Sequence, residues 1–179
     1  MSVTGTIPRR DFEVLAPGLD VVFCGINPPP GALEAGGHSF ANPSNRFWRV
    51  MHLAGFTAVR VRPEEERKLL DYRVGITAVV LRPTRTAAEV TTAEFRAARP
   101  ELEAKMTALS PRVIAFLGKR AYTSMLRKPD VEWGRQPELF AGRPACVLPN
   151  TSGLVRISLD GLVEAYGELH QALASGQID

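Results

Sequence analysis

The residues best suited to chemistry stand where a strongly apolar segment ends. Residues 21–24 read VVFC, and residues 25–31 continue as GINPPPG. A short run rich in β-branched residues is typical of a strand buried on both faces. Three prolines cannot continue a ladder, because each lacks the backbone N–H and has a fixed φ. The pattern predicts that Asn27 is held by a stiff loop at the carboxyl end of a central strand, where open α/β sheets bind ligands.

The chemistry open to Asn27 is limited by its amide. An asparagine orients water through its carbonyl oxygen or donates from its nitrogen, but it cannot take up a proton as a carboxylate does. A site built on it therefore has to rely on stabilising charge in the transition state rather than on a strong general base. On the residues alone, an asparagine that only satisfies the backbone of its loop is equally open.

Other candidate residues lie in loops that follow predicted strands. The loop over residues 26–43 is rich in Gly and Pro and contains Phe40; loops longer than ~12–15 residues in a compact domain are usually functional. Glu89 lies in a loop that can border the same cleft and is a candidate assisting carboxylate. Lys119 and Arg120 open a predicted helix, where phosphates are favoured.

Strand and helix patterns alternate along the chain. Alternation of this kind predicts a parallel sheet with helices on both faces. We expect an α/β three-layer sandwich with a central, mostly parallel sheet of four to five strands flanked by helices, and a single domain over residues 19–175 after an arm at residues 1–18. Predicted strands cover residues 20–25, 75–81, 113–118 and 146–148; predicted helices begin near residues 44, 63, 91, 119 and 158.

Composition restricts the classes of protein open to the chain. It has 179 residues and a formal net charge of +3, which permits a nucleic-acid partner without requiring one. No apolar run approaches the ~18 residues that span a bilayer, and the first residues lack the apolar region of a signal peptide, so we expect a cytoplasmic protein with no membrane partner. Cys24 and Cys146 lack zinc-site spacing and are predicted to be buried free thiols.

Four motifs in order resemble the mismatch-specific uracil-DNA glycosylase family, the bacterial relatives of thymine-DNA glycosylases within the uracil-DNA glycosylase superfamily. They are GINP at 25–28, FANPSNRFW at 40–48, LLDYRVGIT at 69–77 and LPNTSGLVR at 148–156. The resemblance extends over most of the chain, to about residue 173. It implies a parallel α/β sandwich that acts on double-stranded DNA as a monomer, without metal or cofactor. The implied reaction flips uracil, and related modified pyrimidines, out of mismatched duplexes, preferentially opposite guanine, and hydrolyses the N-glycosidic bond to leave an abasic site.

The same resemblance implies roles for individual residues. Asn27 would hold the attacking water, and Phe40 would stack on the flipped base. Leu154 would be the wedge that fills the space left by that base, while Gly153 and Val155 would face the opposite base. The remaining implied site residues frame the base pocket or complete the intercalation loop: Gly25, Ile26, Pro28, Asn150, Ser152 and Arg156. Two positions depart from the family pattern, Pro29 in place of glycine and Thr151 in place of proline, and the second predicts a less rigid loop.

Two other functions remain open at this point. A nucleoside hydrolase on a similar sheet would cleave free nucleosides and be indifferent to Leu154. A non-catalytic protein that binds damaged bases would recognise the lesion and release no product. The glycosylase is favoured because a water-holding motif and a wedge motif occur together, whereas a pure binder would need only the wedge.

Overall fold

A computed structural model describes residues 12–31 and 37–178. Its centre is a five-stranded sheet with the strand order β2-β1-β3-β5-β4, in which the first four strands are parallel and β4 is antiparallel to β5. Helices cover both faces of this sheet. The predicted α/β sandwich is confirmed. The sequence did not predict the antiparallel edge strand β4, which consists of only two residues.

The elements follow one another in a regular order. The strands are β1 Val21–Gly25, β2 Val74–Ala78, β3 Val113–Leu117, β4 Gly134–Arg135 and β5 Ala145–Leu148. The helices are α1 Phe47–Leu53, α2 Thr92–Leu109, α3 Lys119–Leu126 and α4 Leu159–Ala174, with 3-10 segments at Pro63–Tyr72 and Ala87–Glu89.

Alternate side chains of each central strand enter two separate cores. In β1, Val21 and Phe23 pack with α1 and α4 on one face, while Val22 and Cys24 pack with α2 and α3 on the other. Successive side chains of a strand point to opposite faces, so a strand covered on both sides must be apolar throughout. The continuous apolar run at the start of the GINP motif is therefore explained by burial on both faces.

Helix boundaries follow local signals, with two exceptions. Thr91 and Glu94 form a capping box at the start of α2, where a helix start is predicted, and the Ser158 hydroxyl accepts from Gly161 N at the start of α4. The helix predicted from residue 63 exists with proline at its first position, but it is a 3-10 segment. Pro100 is the second exception: an interior proline normally kinks or ends a helix, yet α2 continues through it.

The residues described just before β1 pack onto the sheet. Residues 1–11 lie outside the described residues, but Phe12, Glu13 and Val14 are buried, and Val14 pairs with Ile76 as an antiparallel bridge at the edge of β2. Glu13 forms a buried ion pair with Lys105, with Oε1 and Nζ 2.6 Å apart. Residues 12–14 therefore pack against the sheet, while the division into an arm over residues 1–18 and a domain over residues 19–175 stays a prediction.

Both cysteines are free and buried, as predicted. Burial raises the pKa of the Cys24 thiol far above its usual range and that of Cys146 to about 12. Across residues 12–31 and 37–178, no helix is both long and apolar enough to traverse a bilayer.

Candidate active site

A cleft of about 240 Å³ opens at the carboxyl edge of the sheet. It is somewhat smaller than the ~300–1,000 Å³ of a drug-sized ligand site and suits a single base. Its floor includes Gly25 and Leu117, from the ends of β1 and β3, together with Asn150 just after β5. The ends of three neighbouring parallel strands thus meet at one cleft. The polar lining is mostly uncharged: Asn27, Ser39, Asn42, Asn45, Thr77, Thr84, Arg85, Asn150 and Ser152.

Within the described residues, Asn27 is anchored through its side-chain nitrogen alone. Nδ2 donates to Arg82 O at 2.9 Å and to Thr84 Oγ1 at 2.7 Å. The Thr84 hydroxyl itself donates to Thr86 O, so towards Asn27 it can only accept, and this fixes which end of the amide faces it. No donor from the described residues engages Oδ1, which leaves a carbonyl oxygen as the free acceptor of a side chain that lines the cleft.

The loop that anchors Asn27 is itself braced. Arg82 pairs with Glu94, with Nε and Oε1 2.7 Å apart, at the capped start of α2. The Arg82 guanidinium and the Thr91 backbone N–H lower the pKa of Glu94 to about 2, so this exposed pair stays ionised at neutral pH. The two anchors of Asn27 thus come from a short loop tied to α2.

Phe40 is held against a second aromatic ring. It stacks on Phe47 of α1 with ring centroids 4.1 Å apart and an interplanar angle of 20°. Its backbone is left-handed, with φ of 53°, a conformation that non-glycine residues rarely adopt. The ring also lies over Gly25, where an added Cβ would come within 3.8 Å of Phe40 Cζ. The result is a supported aromatic face beside the Asn27 loop.

Three parts of the chain anchor the residue before Phe40. Ser39 N donates to Glu66 Oε2 at 2.9 Å, Ser39 Oγ donates to Phe12 O at 3.1 Å, and Trp48 Nε1 donates to Ser39 O at 3.1 Å. Glu66 is buried, and this burial raises the pKa of its carboxyl even though the Ser39 N–H and His38 oppose the shift. These contacts account for the strained backbone at Phe40, because the surroundings determine it.

The loop after β5 presents an apolar tip. Leu154 is 90% exposed, and its backbone N–H donates to Ser152 Oγ at 3.2 Å. Thr151, at the position where the family has proline, is fully buried and donates to Asn45 Oδ1 at 2.8 Å. The hydroxyl gives this loop a hydrogen bond that a proline could not form. This contrasts with the expectation that threonine makes the loop less rigid.

A comparison with known families bears on this cleft. The family model described as the Uracil DNA glycosylase superfamily matches residues 12–173, which is most of the chain. The chain belongs to this superfamily. The match begins at Phe12, in agreement with the packed position of that residue. Membership assigns a DNA glycosylase in the general sense, a hydrolase that acts on uracil in DNA and so takes part in DNA repair.

Several residues predicted for the glycosylase site lie together in the structure. Gly25, Ile26, Asn27, Pro28, Phe40, Asn150 and Ser152 all line the cleft, and Gly153, Leu154, Val155 and Arg156 form the loop beside it. Asn150 Oδ1 accepts from Ser152 N at 2.8 Å, which leaves the Asn150 amide nitrogen as a neutral donor at the pocket wall.

Other predicted residues have different partners. Glu89 does not line the cleft; Oε1 accepts from Thr86 N at 3.0 Å in a capping box on the 3-10 turn Ala87–Glu89, so the structure gives this carboxylate a local role. Lys119 pairs with Asp130, and its Nζ lies 4.9 Å from the centroid of the Trp133 ring. Arg120 donates to Ala87 O at 2.9 Å and to Val90 O. The phosphate contacts predicted for both residues compete with these internal contacts.

The composition of the cleft limits the chemistry of the glycosylase. Among the described lining residues there is no carboxylate and no lysine, and Arg85 is the only charged side chain. No cluster of three or more potential metal ligands occurs within residues 12–31 and 37–178. Sequence reasoning missed Thr84, Arg85 and Asn45. Asn45 lies inside the FANPSNRFW motif, but nothing local to Thr84 indicates its contact with a residue 57 positions away.

Proposed function

We propose that this protein is a monofunctional, mismatch-directed uracil-DNA glycosylase that extrudes uracil from duplex DNA, preferentially opposite guanine, and hydrolyses its N-glycosidic bond. The observation that carries the proposal is the anchoring of Asn27. With Nδ2 committed to Arg82 O and Thr84 Oγ1, Oδ1 remains to accept a hydrogen bond from water at the cleft. That is the arrangement a hydrolysis needs when the water is oriented rather than deprotonated.

The reaction balances without a cofactor. The water oxygen bonds to C1′ of the deoxyribose as the C1′–N1 bond breaks, and the electron pair of that bond leaves with uracil. The water releases a proton to solvent, and the uracil anion takes one up. Because no carboxylate lines the described cleft, most of the rate enhancement has to come from stabilising the departing anion and the oxocarbenium-like sugar. Asn150 and Ile26 both line the cleft, which supports a role for the Asn150 amide nitrogen and the Ile26 backbone in binding the base.

The shape of the site supports the extrusion of a base from duplex DNA. The Phe40 ring, supported by Phe47, offers a face on which an extruded base can stack. The exposed Leu154 can enter the helical stack that the base leaves, which offsets part of the unstacking cost. The lack of a lysine in the described lining favours a monofunctional enzyme, since a Schiff base to the sugar requires an amine.

The decisive experiment is single-turnover cleavage of a duplex with one G:U pair, with A:U duplex and single-stranded uracil as comparisons. We expect release of uracil that is fastest from G:U, and a loss of roughly 10²-fold in Asn27→Ala, because misplacing the attacking water by about 1 Å can cost that much. Equal rates on all three substrates would contradict mismatch preference. Tight binding to G:U without product, from the wild type and Asn27→Ala alike, would indicate a binding protein instead.

A further inference from the structure

The position of the Leu154 wedge is set by its loop backbone rather than by packing of its side chain. The side chain is 90% exposed, so few contacts of its own hold it. We call residues 150–157 the wedge loop. Within it, Ser152 N binds Asn150 Oδ1 and Val155 N binds Ser152 O at 3.1 Å, which are local turn contacts. The direction in which the loop projects must therefore come from contacts outside it.

Those outside contacts come largely from one arginine. Arg46, at the start of α1, directs its guanidinium at three backbone carbonyls of the wedge loop. Nη2 donates to Ser152 O at 3.0 Å and to Val155 O at 3.1 Å, and Nη1 donates to Ile157 O. The acceptors bracket Leu154 on both sides along the chain. A planar guanidinium can serve three fixed carbonyls at once, whereas an ammonium group on a flexible stem cannot do so with the same geometry.

Neighbouring residues reinforce this clamp. Arg46 N donates to Thr151 O at 3.0 Å, and Asn45 Oδ1 accepts from the Thr151 hydroxyl. Gly153 lies so close to Ser44 that an added Cβ would come within 2.9 Å of Ser44 O. The wedge loop is thus pressed against residues 44–46 without room for another atom, and the next residue, Phe47, supports Phe40.

We propose that Arg46 is a positioning residue that presets the wedge loop, so that Leu154 enters the duplex in register with the base-stacking face at Phe40. The inference rests on the proposed function and adds to it a residue outside the cleft. One segment, residues 44–47, then holds both the face on which the extruded base stacks and the loop whose wedge replaces that base in the duplex. Presetting the loop removes the cost of ordering it when DNA binds.

The test compares two duplexes that make different demands on the wedge. One holds a G:U pair. In the other, a pyrene nucleotide stands opposite uracil, and its bulk forces the uracil out of the stack without help from the protein. We expect Arg46→Lys and Leu154→Ala to cleave G:U roughly 10- to 100-fold more slowly than the wild type, in line with the loss of charge-assisted hydrogen bonds or of the wedge itself. Both should return close to the wild-type rate on the pyrene duplex, while Asn27→Ala should remain slow on both.

A matched control lies at the other end of the sheet. Arg112 also directs its guanidinium at backbone carbonyls, with Nη2 at 3.0 Å from Leu173 O, but it precedes β3 and is remote from the cleft. Arg112→Lys should leave the ratio of the two cleavage rates unchanged. If Arg46 acts through Leu154, the double variant Arg46→Lys/Leu154→Ala should be no slower on G:U than Leu154→Ala alone.

Three results would overturn the inference: a normal rate for Arg46→Lys on G:U, an equal defect on both duplexes, or additive losses in the double variant. Fluorescence of 2-aminopurine placed beside the uracil reports extrusion without cleavage. A wild type that extrudes uracil better than Arg46→Lys but never cleaves it would refute the proposed function and support the role of Arg46. Equal extrusion by the two proteins would refute that role whether or not cleavage occurs.

Discussion

At the scale of single residues, the two ends of the Asn27 amide have different roles. The nitrogen anchors the side chain, and the oxygen is left for chemistry. The sequence predicts this residue and its loop because an apolar run, a glycine and three prolines are local signals. It cannot predict the anchors, because Arg82 and Thr84 lie more than 50 positions away and their types carry no signal of that contact. The carboxylate expected nearby, Glu89, is used for a local cap instead, as the capping-box spacing from Thr86 allows.

Thr84 offers a test of this anchoring. Thr84→Val keeps the shape of the side chain but removes the oxygen that accepts from Asn27 Nδ2. We expect kcat to fall by roughly 3- to 10-fold with little change in KM, as for the loss of one neutral hydrogen bond. Thr84→Ser keeps the oxygen and should retain most of the wild-type rate. If the valine and serine variants show the same rate, the hydroxyl does not hold Asn27 for catalysis.

Phe40 can be tested separately from its support. Phe40→Ala removes the ring next to the cleft and leaves Phe47 in place. Stacking on an aromatic side chain contributes ~1–3 kcal/mol per base, so cleavage of G:U at low enzyme concentration should fall roughly 5- to 150-fold. Phe40→Tyr, which keeps the ring, should remain close to the wild type. A Phe40→Ala enzyme with unchanged single-turnover kinetics would remove stacking from the mechanism.

At the scale of elements, the site depends on segments that connect the sheet rather than on the sheet alone. The 3-10 segment Pro63–Tyr72 supplies Glu66 to the loop that carries Phe40, and the start of α1 supplies Arg46 to the wedge loop. Sequence patterns located both elements, since prolines and apolar spacing are local. They could not show which charged residue turns inwards, because Glu66 is one of three consecutive glutamates and only the fold distinguishes it.

Glu66, which binds the loop that carries Phe40, predicts a pH dependence of the free energy of unfolding. Its pKa is raised by burial, so the folded state holds the proton more tightly than the unfolded state. The contribution of Glu66 to the free energy of unfolding is therefore greatest at low pH and is lost as pH rises through the folded pKa. Glu66→Gln keeps an acceptor for Ser39 N–H and cannot ionise.

We expect the stability of Glu66→Gln relative to the wild type to increase as pH rises from below 4.5, the ordinary pKa of the group, towards neutrality. Urea denaturation at a series of pH values measures the difference. A stability difference that does not change with pH would show that the carboxyl titrates alike in the folded and unfolded states.

At the scale of the whole molecule, the alternation of strands and helices predicted the sandwich, and the two-sided burial of β1 to β3 explains why that prediction was reliable. The packing of residues 12–14 onto the sheet was not predictable in the same way. Glu13 stands between two apolar residues, a pattern typical of an exposed position on a surface segment. It is nevertheless buried, and it is paired with a lysine that is 92 positions away. Pairs of this kind leave no local pattern.

The Glu13–Lys105 pair should be important for stability. Both side chains are almost completely buried, at 1% and 6% exposure. Lys105→Met should reduce the free energy of unfolding by ~3–5 kcal/mol, because it leaves a buried carboxylate without its partner. The double variant Glu13→Leu/Lys105→Met removes both charges and should be clearly more stable than Lys105→Met. Urea denaturation of the three proteins distinguishes these outcomes, and equal stability of the single and double variants would contradict the argument.

The proline after Asn27 also affects how the protein ages. Spontaneous deamidation of asparagine begins when the backbone nitrogen of the next residue attacks the side-chain carbonyl, and that nitrogen must lose a proton to close the succinimide ring. Pro28 has no N–H to lose, so this route to aspartate is closed at Asn27. Such a conversion would set a carboxylate oxygen against the carbonyl of Arg82, where the amide now donates. The sequence Asn-Pro thus protects a residue that lines the cleft from the commonest chemical decay of its own side chain.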